Sequence, residues 1–288
     1  MIHRTKDLAN PPKELIDSKW DTIKADLLIN GHGHKINSGC YRDSTLSDLM
    51  ELYKNKCAIC ERNRGTELQV DHYRPKKTRD NKSELKYNQP GYYWLAYEWS
   101  NLIPLCSYCN LNKSNKFPLS TWDETTRISS HINVSNIIGF NSNSLSWLQT
   151  YEKPLMINPE FETNPEKHFS FHIDGRIIGR TSEGTETINI CKLNRKDLKR
   201  ERIQIRFTYV NGIKSALNDY DTNNDFAELK GELKGIFKRI KLNCHKDNAH
   251  SLYHLFLYNY IEYFIVSKIP INLKELVNNY FNTFKNGI

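Results

Sequence analysis

The sequence lacks the long apolar runs that secretion and membrane insertion require. Its first residues carry charges with no apolar stretch behind them, so no signal peptide is predicted. The most apolar stretch, residues 252–269, contains His254, Asn259, Glu262 and Lys268, and such groups are costly inside a bilayer. We therefore expect a cytoplasmic protein that does not span a membrane.

Apolar residues are also scarce, at 38% of the 288 residues, below the roughly 45–50% of an average globular domain. Intrinsic disorder does not follow, because aromatic residues make up 11% and disordered chains are poor in them. The chain has no internal repeat and no low-complexity tract. Its length is sufficient to bury a sizeable core.

Acidic residues are outnumbered, since 33 Asp and Glu face 41 Lys and Arg, for a net charge of +8. The excess is concentrated between Lys54 and Lys82, where nine basic residues accompany four acidic ones. Such a segment favours a nucleic-acid partner, because binding releases counterions from phosphates. A solvated surface loop of the same composition is the alternative.

Cysteine is present in an odd number, seven, which argues against a framework of disulfides. Four cysteines form two identical Cys-x-x-Cys knuckles, and these are Cys57, Cys60, Cys106 and Cys109. Two knuckles complete a tetrahedral, water-excluding sulfur site of the structural zinc type. A redox pair of the thioredoxin kind would explain one knuckle but not both, so we predict structural Zn²⁺.

The segment between the knuckles predicts a short strand. Leu68 and Val70 alternate with polar residues, and Pro75 stops the pattern. Asp71 and His72 then lie at the strand end, where side chains can face a cleft. Beyond the second knuckle, Asn110 is placed to cap or open a helix, and Lys113 follows one turn later on the same face.

Asp71-His72, then Asn101, then Asn110 with Lys113, framed by two knuckles, resembles the HNH nucleases of the ββα-metal fold. The first His of that motif corresponds to His72 and the middle Asn to Asn101. Asn110 occupies the final His position, as in the HNH domains of CRISPR effector nucleases. This resemblance covers about residues 50–120.

A narrower likeness extends over most of the chain. Residues 70–76, 91–102, 109–113, 155–160 and 187–195 resemble the HNH subunit of Septu-type anti-phage systems, which also occurs as a retron-associated effector. The match is loose before residue 50 and over the last 60 residues. It implies a defence effector held in check by a partner ATPase that senses infection.

The chemistry of phosphodiester hydrolysis gives these residues roles. His72 is the expected general base, because a neutral imidazole accepts a proton near neutral pH. Asp71 and Asn110 offer oxygen ligands that suit Mg²⁺ or Mn²⁺. In the family the middle Asn, here Asn101, holds the loop that orients the base. Lys113 is expected to neutralise a phosphate oxygen.

Further basic residues are expected to grip the nucleic-acid backbone, and these are Arg74, Lys76 and Lys77. The aromatic stripe of residues 92–99 favours core packing over base stacking. Taken singly, each motif residue also has an ordinary interpretation: His72 as a surface hydrogen-bonding partner of Asp71, Asn110 as a helix cap, and Asn101 as a turn residue.

The predicted fold class is α+β, a mostly helical protein with an inserted ββα-metal HNH domain stapled by a zinc site of four cysteines. Residues 1–50 form an N-terminal helical segment, with an amphipathic helix over 11–30, and residues 51–120 form the nuclease core. Residues 121–195 are loop-rich with a β-hairpin at Asp174-Gly175. Residues 196–288 are helical and are a candidate docking region for the partner.

Three functions remain open on the sequence. The leading one is a metal-dependent HNH endonuclease of anti-phage defence, with DNA as the favoured substrate. The second is an HNH effector that cuts RNA, tRNA in particular. The third is a non-catalytic zinc module that only binds nucleic acid, and such a module would tolerate the loss of His72.

Overall fold

A computed structural model of the chain describes residues 1–77, 91–120, 148–150 and 152–287. These residues form an α+β structure that is mostly helical, as predicted, in two compact units. The first unit comprises Met1–His168 and Gly179–Lys192, and the second comprises Phe169–Ile178 and Leu193–Ile288. Among the described residues, no helix has both the length and the apolar character of a membrane span.

The described residues of the first unit include a small two-stranded sheet and several helices. The helices are α1 (Asp21–Asn30), α2 (Leu46–Tyr53), α3 (Ser107–Lys113) and α4 (Ser182–Cys191), and the strands are β1 (Leu68–His72) and β2 (Leu102–Cys106).

The predicted helix over residues 11–30 begins later than expected, at Asp21. Pro12 closes a turn of its own, accepting from the backbone N–H of Leu15. Asp17 then caps a separate short 3-10 turn, Ser18–Trp20, by accepting from the N–H of Lys19 at 2.9 Å. The backbone bond to Pro12 and the side-chain bond of Asp17 compete with a continuous helix, so the regular segment is half as long as its apolar pattern suggested.

Strands β1 and β2 pair antiparallel, with Leu68 opposite Cys106 and His72 opposite Leu102. Side chains of β1 alternate between a buried and a more exposed face, so Leu68, Val70 and His72 point inward while Gln69 points outward. Strand β2 is buried along its whole length and continues directly into α3. The order strand, strand, helix is therefore the ββα arrangement that the resemblance implies.

The aromatic stripe of residues 92–99 packs into the core of this unit. Its five aromatic side chains are buried, and they are Tyr92, Tyr93, Trp94, Tyr97 and Trp99. They lie on or next to two short 3-10 turns, Tyr93–Leu95 and Trp99–Asn101, and not on an α-helix. Core packing is thus the role that the structure gives them.

Arg74 lies in the same core, and this corrects the expectation that it contacts nucleic acid. Its side chain is only 1% exposed, and its guanidinium forms an ion pair with the buried carboxylate of Glu152. The guanidinium also lies over the rings of Tyr92 and Phe117, at 5.1 and 4.9 Å from their centroids. An arginine that is neutralised and enclosed in this way is not available to a phosphate.

The second unit consists of helices and a hairpin. Its helices are α5 (Lys196–Asn223), α6 (Phe226–Asn243), α7 (Ser251–Asn259), α8 (Ile261–Phe264) and α9 (Lys274–Lys285), and the hairpin strands are β3 (Phe169–Phe171) and β4 (Ile177–Gly179). Gly175 forms the predicted turn with φ +79°, and a Cβ at this position would lie 2.5 Å from the carbonyl oxygen of Lys199. Only glycine fits here.

Helix α6 packs on α5, α7 and α9. Phe237 lies at the centre of this bundle, with its ring 5.0 Å from that of Phe281. Helices α5 to α9 lie in the region 196–288 that the sequence predicts to be helical, and α7 is divided from α8 at Tyr260. Of the predicted loop-rich segment, residues 121–147 and 151 lie outside the described residues.

Replacing Glu152 by alanine should destabilise the first unit strongly. The substitution leaves the Arg74 guanidinium buried without its carboxylate, and removing one partner of a buried ion pair typically costs about 3–5 kcal/mol. Denaturant unfolding monitored by circular dichroism measures the loss. Glu51→Ala, at an exposed site on α2, is the matched control and should change the free energy of unfolding by at most about 0.5 kcal/mol. Equal effects of the two variants would contradict the buried pair.

Candidate functional site

The two cysteine knuckles meet at one place, as predicted. Cys57 and Cys60 lie in the turn that follows α2, Cys106 ends β2, and Cys109 lies in the first turn of α3. All four are buried, and their sulfur atoms lie within 4.8 Å of one another. Cys60 and Cys106 are 3.7 Å apart, and a tetrahedral zinc site with bonds of about 2.3 Å has sulfurs about 3.8 Å apart. The cluster could therefore hold a structural metal ion.

The four thiols of this cluster divide into two pairs by their pKa. Bonding to Cys106 lowers the pKa of Cys60 well below its ordinary value, and bonding to Cys109 lowers the pKa of Cys106 to about 7. Burial raises the pKa of Cys57 well above its ordinary value, and bonding to Cys106 does the same for Cys109. Since the thiolate is the form that binds a metal, a cation in this cluster would have to displace the protons that remain.

His72 is held at the end of β1 in one defined orientation. Its side chain is buried, with the residue 3% exposed, and its Nε2 lies 2.8 Å from the carbonyl oxygen of Ala96. A carbonyl only accepts, so Nε2 carries the proton and donates, which leaves Nδ1 with its lone pair. Burial, aided by the charge of Lys76, holds the pKa of His72 well below its ordinary value. The ring is therefore neutral at physiological pH.

Lys76 and Tyr41 cover the other side of this ring. The ammonium of Lys76 donates to Nδ1 of His72 at 3.1 Å and to the hydroxyl of Tyr41 at 3.0 Å. It also lies 4.2 Å from the centroid of the Tyr41 ring, and that ring is 4.6 Å from the imidazole. Burial lowers the pKa of Lys76 to about 8. Tyr41 is a site residue that the sequence did not indicate, because it precedes the motif by 30 residues and belongs to no recognisable pattern.

Asn101 ties together the backbone around His72. Its Oδ1 accepts from the N–H of Arg74 at 2.8 Å, and its Nδ2 donates to the carbonyls of Arg74 at 3.0 Å and Leu95 at 3.2 Å. These partners lie two residues after His72 and one residue before Ala96. The carboxamide of Asn101 thus fixes the imidazole of His72 relative to the Ala96 carbonyl that accepts its hydrogen bond.

The outward face of β1 meets one face of α3 in two parallel contacts. Asn110 donates from Nδ2 to Oε1 of Gln69 at 2.8 Å, and Lys113 approaches Oδ2 of Asp71 to 2.8 Å. Gln69 and Asp71 are two residues apart on the strand, and Asn110 and Lys113 are three apart on the helix, so the pairs lie side by side. Asn110 lies within α3 and does not cap it, because Cys106 is the N-cap residue.

Lys113 is completely buried, which corrects the expectation that it neutralises a phosphate. Its ammonium donates to the carbonyl of His72 at 2.6 Å and lies beside the carboxylate of Asp71. The side chain is 0% exposed. Lys113 therefore joins α3 to the end of β1 and sets the position of both residues of the Asp-His pair.

The carboxylate of Asp71 is close to this cation without being saturated by it. Its Oδ2 is buried and lies 2.8 Å from the Lys113 ammonium, and within the described residues no hydrogen bond ends on it. Because this oxygen faces the ammonium, a further cation would have to meet the other carboxylate oxygen, Oδ1. Across the described part of the chain, the four cysteines are the only group of three or more His, Cys, Asp or Glu side chains able to hold a metal.

Of the three basic residues predicted to contact nucleic acid, only one is exposed. Lys77 is exposed, Lys76 is half-buried against His72, and Arg74 is enclosed in the core. Arg79 and Lys82, which contribute to the basic segment, lie outside the described residues.

The chain is similar to three curated proteins of Septu systems, whereas no protein-family model matches it. It is 30% identical to Septu protein PtuB of Bacillus mycoides (strain KBAB4) over 199 residues, which is 67% of this chain and 59% of that protein. It is 30% identical over 202 residues to Septu protein PtuB of Bacillus thuringiensis, covering 68% of this chain and 56% of that protein.

The third relative is Septu protein PtuA of Bacillus mycoides (strain KBAB4), which is 27% identical over 191 residues, or 66% of this chain and 24% of that protein. The matches thus span less than two thirds of the length of each relative. They confirm the resemblance to Septu proteins that the motifs indicated.

Replacing Cys57 by serine should remove the metal-binding capacity of the cluster and destabilise the first unit. A closed site of this kind couples metal binding to folding, because the ligands are assembled only in the folded chain. Elemental analysis of the purified protein should give about one zinc per chain, and the variant should have none and melt at a much lower temperature. Cys244→Ser is the control, because this thiol lies outside the cluster. A metal-free wild-type protein of unchanged stability would contradict the assignment.

His72 should remain neutral and protonated at Nε2 when the pH is lowered from 8 to 6.5. Its pKa in the folded protein is well below that of an unfolded chain, so its contribution to stability is present above about pH 6.5. That contribution is lost as the pH falls further and the ring must charge. Side-chain ¹⁵N NMR measures the state of each ring nitrogen, and titration of the ring near pH 6.5 would contradict the buried hydrogen bond to Ala96.

Proposed function

We propose, on the premise that the chain is a homologue of the Septu PtuB proteins, that it is a metal-dependent HNH endonuclease. It hydrolyses phosphodiester bonds of nucleic acid and acts as an effector of anti-phage defence. An ATPase partner regulates it, as the resemblance to Septu-type systems implies. The similarity to a protein named Septu protein PtuA supports only the Septu context of this partner. The activity, the substrate and the partner are all parts of this proposal.

The orientation of His72 is the observation that supports the proposal most. A general base needs a neutral nitrogen with an available lone pair directed at the reacting water. Donation from Nε2 to Ala96 leaves the lone pair on Nδ1, where it accepts from Lys76 in the free protein, and burial keeps the ring neutral.

Two kinds of metal fit the residues. Zn²⁺ in the cluster of Cys57, Cys60, Cys106 and Cys109 would be structural, because four thiolates leave no open position. Asp71 and Asn110 would hold Mg²⁺ or Mn²⁺ through oxygens, since Gln69 uses Nδ2 of Asn110 and Lys113 faces Oδ2 of Asp71, which leaves the Oδ1 atom of each residue. When bound, this cation would neutralise charge on the leaving oxygen.

The protein groups around His72 support proton transfer at Nδ1. As Nδ1 takes a proton from water, the ring becomes positive, and the Ala96 carbonyl then stabilises the charge through its bond to Nε2. Asn101 keeps that carbonyl in place. Lys113 holds the main chain of His72 from the opposite side and thereby limits movement of the base.

Nucleic acid would bind through the basic surface next to this site. Lys77 is exposed and follows His72 by five residues. Since the chain carries a net charge of +8, its affinity for nucleic acid should depend strongly on salt. DNA is the favoured substrate. The residues of the site do not require a 2′-hydroxyl, so RNA, including tRNA, is tested in the same experiment.

His72→Ala and Asp71→Ala should abolish cleavage while leaving binding nearly intact. General-base catalysis contributes about 10²–10⁴-fold, so residual cleavage should be barely detectable. The test incubates the purified protein with plasmid DNA and with total tRNA, with and without Mg²⁺, in the presence and absence of the partner ATPase. Binding is measured in parallel by fluorescence anisotropy.

Asn110→Ala should also lose cleavage, and Asn110→Asp should retain part of it because an oxygen ligand remains. Asn112→Ala is the matched control on the same helix, since Asn112 is half-buried, as Asn110 is, and its side chain donates to the carbonyl of Tyr108. Cleavage by His72→Ala within a few-fold of wild type would remove His72 from the mechanism. Equal loss of binding and cleavage would favour the non-catalytic module.

A further inference from the structure

Both ring nitrogens of His72 are engaged in the free protein. Nε2 donates to the Ala96 carbonyl at 2.8 Å, and Nδ1 accepts from the ammonium of Lys76 at 3.1 Å. The ammonium is itself held by the hydroxyl of Tyr41 at 3.0 Å and by the face of the same ring at 4.2 Å. The nitrogen that is suited to act as a base is therefore covered.

A covered Nδ1 cannot act as a base. A neutral imidazole offers one in-plane lone pair at its unprotonated nitrogen. While that lone pair accepts from Lys76, it is not available to a water molecule. The arrangement of the free protein thus holds the base in a blocked state, although the base is in the correct tautomer.

A substrate phosphate is a stronger partner for Lys76 than the imidazole is. The phosphodiester carries a full negative charge, whereas the ring of His72 is neutral, and hydrogen bonds between two charged groups are the stronger kind. A lysine ammonium is a point charge on a flexible stem and can change partner by rotation of its side chain. The Tyr41 ring can support the ammonium in either position, because a cation–π contact tolerates small shifts.

We propose that Lys76 is a positioning residue that covers Nδ1 of His72 in the free protein and uncovers it when a substrate phosphate draws the ammonium away. The proposal rests on the proposed nuclease function for the identity of the substrate. Lys76 then does more than add affinity for nucleic acid, because the movement by which it binds the phosphate also uncovers Nδ1 of His72.

The hydrogen-bonding state of Nδ1 can be observed directly by side-chain ¹⁵N NMR of His72. The probe is a short single-stranded DNA oligonucleotide, added without divalent cations so that it is not cut, and its saturation is followed by fluorescence anisotropy. In the free wild-type protein, the Nδ1 resonance should have the lower shift of a hydrogen-bonded nitrogen. Saturation with the oligonucleotide should raise this shift, because a neutral water molecule is a weaker donor to Nδ1 than the ammonium is.

Lys76→Met should show, already in the free protein, the higher Nδ1 shift of a nitrogen without the Lys76 bond. This shift should not respond to the oligonucleotide. Lys76→Arg, which keeps a cationic donor, should restore the bonded value. Lys77→Met removes the same charge from the neighbouring, exposed position and should leave the Nδ1 resonance of the free protein at its wild-type value. This pair separates the contact with His72 from a general effect of charge.

Three results would overturn the proposal: an identical Nδ1 resonance in Lys76→Met and wild type, a wild-type resonance that does not move at saturation, or no binding of the oligonucleotide without divalent cations. Failure of the proposed function gives a different pattern. If the wild-type protein cuts no substrate but its Nδ1 responds as expected, the nuclease assignment fails and the uncovering of His72 stands. Cleavage by wild type with an unresponsive Nδ1 overturns this inference alone.

Discussion

The hydrogen bonds of one buried carboxamide, that of Asn101, hold the site together. Its two polar atoms bond to the backbone on either side of the long connection between β1 and β2, at Arg74 and at Leu95. The bond from His72 to Ala96 joins the same two segments, so Asn101 supports its geometry. The tautomer of His72, and with it the identity of the basic nitrogen, therefore depends on an interaction with a residue that does not touch the ring.

The cysteine cluster also holds the two strands and α3 in place. It connects the turn after α2 to the junction of β2 and α3, while Lys113 connects α3 back to the end of β1. Helix α3 is thus held at its start by the cluster and at its end by the contacts of Lys113 with β1. Asp71 and Asn110 lie on the surface between these connections, which is why two side chains 39 positions apart in the sequence come to the same face.

Local pattern and spacing were sufficient to predict part of this site. Identical Cys-x-x-Cys spacings indicated one four-sulfur cluster, and the alternation around Leu68 and Val70 indicated β1, because both signals come from residues close in sequence. The placement of Arg74 could not be predicted. Its burial depends on Glu152, which is 78 positions away, and a single basic residue in a basic segment resembles any surface arginine.

Lys76 and Tyr41 show the same limit at the site itself. The sequence indicated a lysine near the base, but its direction is set by an aromatic residue from the segment before α2. The start of α1 was misjudged for a different reason. An apolar pattern reports which face of a segment is buried, whereas the exact start of the helix depends on competing side-chain bonds such as that of Asp17.

The separation of β1 from β2 has a consequence for how the chain folds. About 30 residues connect the two strands, so closing this pair costs roughly 2–3 kcal/mol more entropy than closing a two-residue hairpin. A pair of five-residue strands is only marginally stable by itself, and contacts between distant residues form slowly. Capture of a metal ion by the four cysteines would stabilise this pairing, because the cluster joins the turn after α2 to the end of β2. A chain without the ion would then expose its buried aromatic residues to proteases and to aggregation more often.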